Sequence, residues 1–270
     1  MRSPLQIFVV LAIPAGVIFW ALSRPEVSAQ NDPNQPADVA ATESAGPAAG
    51  QAASDAAANH KPHADMDGGS ADPHAALEPA ALYEIAIRHA NEGKHDAAIG
   101  HLDQAIQQDP ENPIFFAARS TSFLVLEDRT SALRDIEIAV KLAKGQPDLL
   151  TGMLVNRSQI YRQFQRDPDA LADLDQALEL NKNYVPALFN RSHIYMNQSK
   201  TELALVDLDR AILLQPDFAS LYFNRAMAYE AKEDMEKARA DMGQFLGLTR
   251  SDDHQDLAHE ILKGWTEAGK

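Results

Sequence analysis

From Leu77 onward, apolar residues recur at the spacing of amphipathic α-helices, and the pattern returns at a fixed interval. Its clearest mark is a six-residue phrase that begins at residue 156 (NRSQIY) and returns 34 residues later at 190 (NRSHIY) and again at 224 (NRAMAY). Equal intervals of this size are typical of an array of similar units rather than of one globular core. The pattern therefore predicts an all-α solenoid of helical hairpins over residues 77–252.

The array can be laid out as five units of 34 residues, with residues 147–150 as a short insertion between the second and the third. Positions are counted from the first residue of each unit. Alanine occupies position 20 in every unit, and an aromatic residue occupies position 11 in the last four. A further apolar stripe in residues 253–270 predicts one more helix, which would cap the end of the array. The predicted units are 79–112, 113–146, 151–184, 185–218 and 219–252.

These recurring positions resemble those of the tetratricopeptide repeat family. The matching features are small residues at positions 8, 20 and 27, the aromatic at 11, and proline at 32 in two units (Pro110 and Pro216). Small residues let paired helices approach closely, and proline ends the second helix of a unit. The resemblance covers residues 79–252 and implies helix pairs whose first helices line a concave groove for proteins or peptides.

Arginine at position 7 and aspartate at position 23 occur together in four units, and the first unit lacks both. Joint presence and joint absence predict structural ion pairs, either between the two helices of a unit or between adjacent units. The predicted pairs are Arg119 with Asp135, Arg157 with Asp173, Arg191 with Asp207, and Arg225 with Asp241.

The family resemblance also implies which side chains face the groove. Side-chain amides there would offer a donor and an acceptor to an extended peptide, and Phe and Met would accept apolar side chains without strict sequence demands. An alternative is that the asparagines satisfy groups of neighbouring helices. The lysines that some members of the family use to clamp a terminal carboxylate are not matched here, so such a clamp is not expected. The predicted groove residues are Asn156, Gln159, Phe189, Asn190, His193, Met196, Phe223, Asn224 and Met227.

Residues 5–22 form an uncharged apolar run behind Arg2, and small residues precede a cleavage site after Ala29. The run has 18 residues. That length lies between the apolar core of a signal peptide, about 7–15 residues, and a membrane-spanning helix, about 17–25. Residues 1–29 are thus either a signal peptide or a signal anchor. Both alternatives place the rest of the chain outside the cytoplasm, as a periplasmic or otherwise extracytoplasmic protein. Residues 30–76 are rich in Ala, Pro and Asp and predict a disordered linker.

Charge and chemistry narrow the functional classes. A net charge of −15 argues against nucleic acid as a partner, because phosphate contacts need a basic surface. The chain has no cysteine and no phosphate-binding or metalloprotease motif, so we expect no enzyme, no cofactor and no metal site. The expected function is a non-catalytic scaffold that binds a protein or peptide in the groove. The alternative is a regulatory or assembly subunit of an envelope complex, bound through its convex face or its ends.

Overall fold

The computed structural model describes residues 77–268, which form eleven α-helices and no strand. The predicted signal or anchor and the predicted linker lie outside these residues. Within them, no helix combines the length and apolar character needed to cross a bilayer. The helices are α1 (Pro79–Asn91), α2 (His95–Gln108), α3 (Pro113–Val125), α4 (Arg129–Leu142), α5 (Pro147–Gln163), α6 (Asp167–Leu180), α7 (Val185–Asn197), α8 (Thr201–Leu214), α9 (Ala219–Ala231), α10 (Met235–Leu248) and α11 (Asp252–Ala268).

Successive helices pack as hairpins because each second helix presents alanine to its partner. The alanines at position 20 are completely buried, as are those at position 27 in the first four units. A methyl side chain at these places lets the backbones of two helices come close together. The packed pairs include α1 with α2, α3 with α4, α7 with α8, and α9 with α10.

Apart from the five 34-residue repeat units, the chain divides into two larger compact units, called the first and second compact unit. The division falls after Asn156, within α5. The first compact unit has a core around Leu82, Leu102 and Phe115, with Tyr83 and Ile87 packed against it. The core of the second compact unit contains fully buried large side chains from successive helices, including Leu174, Leu188, Ile194, Leu208, Leu221 and Met242. Each unit therefore has its own apolar interior.

The insertion at residues 147–150 is helical. Helix α5 begins at Pro147 and has 17 residues, against 13 in α3 and α7. Four residues add about one turn, so the faces of the helix keep their phase. The Thr151 hydroxyl donates to the carbonyl of Pro147 at 2.8 Å within this added turn. The insertion thus lengthens the first helix of the third unit and leaves the repeat pattern beyond it intact.

The turn inside each hairpin uses a left-handed residue at position 15. The first unit has Gly93 there, with φ of +76°, and the other units have Glu127, Gln165, Ser199 and Glu233 at φ between +57° and +63°. The N–H of the next residue bonds to the carbonyl at position 11, as in the bond from Lys200 N to Tyr195 O at 2.8 Å. This bond closes the end of the first helix in the manner of a Schellman motif. The turn therefore has one geometry throughout the array.

Helix α11 covers the last hairpin. Its Trp265 is buried and donates its indole N–H to a carboxylate oxygen of Glu230 in α9 at 2.5 Å. Arg239 of α10 donates to the carbonyl of Trp265 at 2.8 Å. Phe245 stands where earlier units have alanine, and its ring lies 5.2 Å from that of Phe223. The larger side chain fills the space next to the terminal helix.

Candidate functional site

The arginines at position 7 are committed to holding each hairpin together. Each donates two hydrogen bonds to the aspartate at position 23 of its own unit, for example Arg191 Nε and Nη2 to the two oxygens of Asp207, both at 2.8 Å. The aspartate side chains are only 4–8% exposed. The same paired geometry joins Arg119 to Asp135, Arg157 to Asp173, and Arg225 to Asp241.

Three of these arginines also reach the preceding hairpin. Their Nη1 atoms donate to an acidic residue at position 25 of that hairpin, at 2.5–2.8 Å; the pairs are Arg119 with Asp103, Arg191 with Asp175, and Arg225 with Asp209. Bonding to the buried aspartate of the same unit is the main cause that raises the pKa of each of the three guanidinium groups. Each of these three arginines therefore forms ion pairs both within a unit and between adjacent units. Ligand binding would have to use other side chains.

The asparagines of the repeated phrase occupy two different environments. Asn190 is 2% exposed, and its amide donates to the carbonyl of Pro186 one turn earlier at 2.8 Å. The Asn190 amide therefore satisfies a group of its own helix, and not of a neighbouring helix as the alternative interpretation had it. Asn156 and Asn224 are half-buried, and within residues 77–268 their side chains form no hydrogen bond. Asn224 lies in the second compact unit, on the same helix as Met227.

The two phenylalanines of the predicted groove lie in the interior of the second compact unit. Phe189 is 7% exposed with its ring 5.6 Å from that of Phe218, and Phe223 is 4% exposed against Phe245. Met196 of α7 and Met227 of α9 remain half-buried, as does Gln159 of α5. The accessible part of the face formed by α7 and α9 therefore consists of methionine and amide side chains, together with His193.

Arg162 joins this set, although it was absent from the predicted groove. Its Nη2 donates to Nδ1 of His193 at 2.7 Å, across a sequence separation of 31 residues. Burial lowers the pKa of Arg162. Burial, and then the charge of Arg162, lower the pKa of His193 to about 4. Arg162 stands at position 12, where other units have Ala90, Leu124, Met196 and Glu230, so its cationic character was the signal that could have identified it.

The first compact unit has two cavities, and the smaller one lies beside its first helices α1 and α3. A cavity of about 190 Å³ is lined by side chains of α1, α2 and α3, including Ile87, Asn91, His95, Leu102, Thr121 and Val125. A larger cavity of about 360 Å³ lies beside the connections that precede α3 and α5, and Asp109, Glu111 and Asp148 border it. In the part of the chain that the structure describes, no group of three or more His, Asp or Glu side chains is arranged to hold a metal ion.

Known proteins similar to this chain share the repeat. The family model described as tetratricopeptide repeat matches residues 192–263. Tetratricopeptide repeat protein 36 of Danio rerio is 28% identical over 120 residues, which is 44% of this chain and 64% of that protein. Tetratricopeptide repeat protein 6 of Homo sapiens is 29% identical over 98 residues, 36% of this chain and 18% of that protein. The matches therefore span less than two thirds of either relative.

Solved structures agree at the level of the fold. The pilus biogenesis factor PilW gives a TM-score of 0.59 at 16% identity, over 65% of this chain and 80% of that one. A tetratricopeptide repeat protein from Parabacteroides merdae gives 0.59 at 20% identity, over 73% and 75% of the two chains. The repeated helical hairpins, the family match over residues 192–263 and the relatives together lead to one conclusion: this chain carries repeats of the tetratricopeptide type.

Proposed function

We propose that this protein is a non-catalytic scaffold that binds a protein segment or a peptide on its second compact unit. The binding surface is the first-helix face, formed by α7 and α9 with Met196, Asn224 and Met227. Proteins of the tetratricopeptide repeat family are interaction scaffolds, so the class of function follows from the family. The observation that carries the choice of face is that Asn224 is half-buried and forms no side-chain hydrogen bond within residues 77–268, with the half-buried Met227 one turn further along α9 and the half-buried Met196 on α7. The repeat arginines, by contrast, are already paired with aspartates.

The chemistry of this face suits an extended segment. The Asn224 amide offers both a donor and an acceptor, which are the groups that a peptide backbone needs. Methionine is unbranched and polarizable, so Met196 and Met227 can adapt to apolar side chains of different shapes. Such a surface would recognise the backbone through the amide and tolerate variation in the side chains between the contacts.

The proposal also places the protein outside the cytoplasmic membrane. Its support is the apolar run at residues 5–22 with small residues before a cleavage site after Ala29. PilW, whose structure has the same fold, is described as a type IV pilus biogenesis factor. The intact mass of the exported chain decides between cleavage and anchoring, and recovery of the chain solely from the cytoplasm would contradict this part of the proposal.

Panning a phage-displayed library of 12-residue peptides against the full chain tests the binding face. Substitution of Asn224→Ala together with Met227→Ala should weaken the recovered peptides about 10-fold or more, since it removes a backbone contact and an apolar contact. Gln244→Ala is the matched control, because Gln244 is an exposed amide on the second helix of the same hairpin. Its affinities should stay within about 2-fold. Failure to recover any peptide, or equal losses in both variants, would contradict the proposed face.

A second candidate function rests on an apolar patch on α8. Leu203, Val206 and Leu213 are 48%, 65% and 83% exposed. Most of the corresponding residues in the other units are charged, polar or glycine, and the rest are alanine; they are Ala97, Gly100, Gln107, Ser131, Arg134, Lys141, Asp169, Ala172, Glu179, Lys237, Ala240 and Gly247. An exposed apolar patch confined to one helix favours an assembly subunit held through its outer face. Val206→Ser with Leu213→Ser would then release the chain from its complex and leave peptide binding by the first-helix face unchanged.

A further inference from the structure

The first repeat unit lacks the ion pair that holds the other four hairpins together. It has Ile85 at position 7 and His101 at position 23, and His89 takes the place of the aromatic residue at position 11. In the fourth repeat unit, Arg191 bonds to the aspartate at position 23 and lies 5.8 Å from the centre of the Tyr195 ring. The first hairpin therefore presents two imidazole rings where the other hairpins hold a guanidinium cation.

His89 and His101 lie in contact across the first hairpin, one on α1 and one on α2. Their ring centroids are 5.2 Å apart, and the ring planes are inclined at 67°. Nδ1 of each ring is shielded from solvent, and within residues 77–268 neither ring forms a hydrogen bond or an ion pair. A buried ring nitrogen without a partner costs free energy, which a cation that accepts its lone pair would offset. Because no hydrogen bond holds either ring, each can turn about its Cβ–Cγ bond to aim a nitrogen at a shared ion.

We propose that His89 and His101 together bind one transition-metal ion of the zinc type, which ties α1 to α2 in place of the missing ion pair. The spacing of the rings suits this ligand. Two imidazoles on one tetrahedral zinc ion, with zinc–nitrogen distances of about 2.0–2.1 Å, have ring centroids roughly 5 Å apart. Zinc, copper and nickel ions favour imidazole nitrogen, whereas magnesium and calcium ions favour oxygen ligands.

The pair leaves coordination positions open. In the part of the chain that the structure describes, no third His, Asp or Glu side chain joins it, so water or a group from another molecule completes the coordination. Both residues are half-buried, and the outer edge of the pair reaches the surface of the hairpin. Two protein ligands hold zinc less tightly than the four of a structural zinc site, so the ion exchanges with its surroundings. The site lies in the first compact unit and does not depend on the proposed peptide-binding face.

Thermal unfolding of the full chain with and without zinc ions tests the proposal. An ion that binds the folded hairpin and not the unfolded chain raises the Tm. At a zinc concentration about tenfold above the Kd measured by calorimetry, we expect the Tm to rise by about 3–6 °C, and magnesium ions should leave it unchanged. Zinc bound by His60, His63 or His74 does not raise the Tm if those residues bind it equally in the folded and unfolded chain. A Tm that zinc does not raise would overturn the inference.

Three variants assign the effect to the pair. His89→Phe and His101→Gln should each abolish the rise in Tm, because each leaves a single imidazole; Phe123 already stands at position 11 of the next unit. His259→Gln, which removes an exposed histidine on α11, should keep the full rise. An undiminished rise in either variant of the pair would overturn the inference.

Nuclear magnetic resonance of the unsubstituted protein gives a measurement that does not depend on how the variants fold. Zinc should shift the ring signals of both His89 and His101 in parallel as it is titrated, because one ion contacts both rings. Ring signals that stay in place, or that respond at different zinc concentrations, would contradict a shared site.

Discussion

At the residue scale, arginine has two roles in this chain, and the register position separates them. At position 7 the guanidinium meets a buried aspartate 16 residues away and becomes part of the packing. At position 12 of the third repeat, Arg162 has no acid within ion-pair distance among residues 77–268 and bonds to a histidine ring instead. The difference is geometric, because the two positions lie on different faces of the first helix. The role of an arginine in this repeat therefore depends on its position in the repeat, and its positive charge alone does not reveal that role.

His193 makes a testable contribution to pH-dependent stability. Its pKa is about 4 in the folded protein, whereas an unfolded histidine titrates near 6.5. As the pH falls through 6.5 the unfolded chain takes up the proton first, so folding stability is lost until the pH reaches the folded value. Between pH 7 and pH 5 the free energy of unfolding should fall by about 2 kcal/mol from this residue. Urea unfolding at the two pH values measures the change.

The control for this experiment is His193→Gln. Glutamine does not titrate, and its side-chain oxygen can still accept from Arg162. The variant should lose about 2 kcal/mol less than the unsubstituted protein over the same pH interval. Equal losses in the two proteins would show that His193 is not the source of the effect.

At the element scale, the hairpin turn shows how one backbone geometry is kept with different residues. Position 15 is left-handed in every unit, yet the first unit alone has glycine there. For other residues this conformation costs roughly 1–2 kcal/mol. The Schellman bond to the carbonyl at position 11 and the packing of both helices hold the turn in place regardless. The sequence pattern therefore predicted the hairpins but not the strained residue at each turn.

Two alanine substitutions in the first unit should change stability in opposite directions. Gly93→Ala should destabilise the protein by about 1 kcal/mol, because the added Cβ meets no atom within 4 Å and only the left-handed backbone opposes it. Gly100→Ala should stabilise by about 1 kcal/mol, because Gly100 lies inside α2 with equally open surroundings. Thermal unfolding of the two variants measures both effects. Changes of the same sign would contradict the role assigned to the turn.

At the scale of the whole molecule, the two compact units have separate cores, and the second unit ends in a helix that differs from the repeat. Helix α11 has no partner in the 34-residue pattern and is held by Trp265, whose indole N–H bonds to Glu230. An array of hairpins exposes apolar surface at its end unless another element covers it. The family match continues to residue 263, so it includes most of this terminal helix.

Trp265 should be the main anchor of α11. Trp265→Ala should lower the free energy of unfolding by about 3–5 kcal/mol, because it removes a large buried side chain. Trp265→Phe keeps most of the apolar contact and loses the bond to Glu230, so its cost should be near 1 kcal/mol. Urea unfolding distinguishes the two variants. Equal costs would indicate that the ring contributes little packing and that the hydrogen bond is the dominant contact.

The sequence by itself determined the repeat type, the order of the helices and the hairpin register. The 34-residue spacing and the alanines at positions 20 and 27 suffice for the hairpins, and the family came from the resemblance of these recurring positions. Only the tertiary structure decided which groove-facing positions are accessible. Asn190 and Phe223 belong to the predicted face yet are buried, while Arg162 and His193, 31 residues apart, meet at 2.7 Å. The physical reason is that helical phase gives the direction of a side chain, whereas its depth and its partners depend on the helix packed against it.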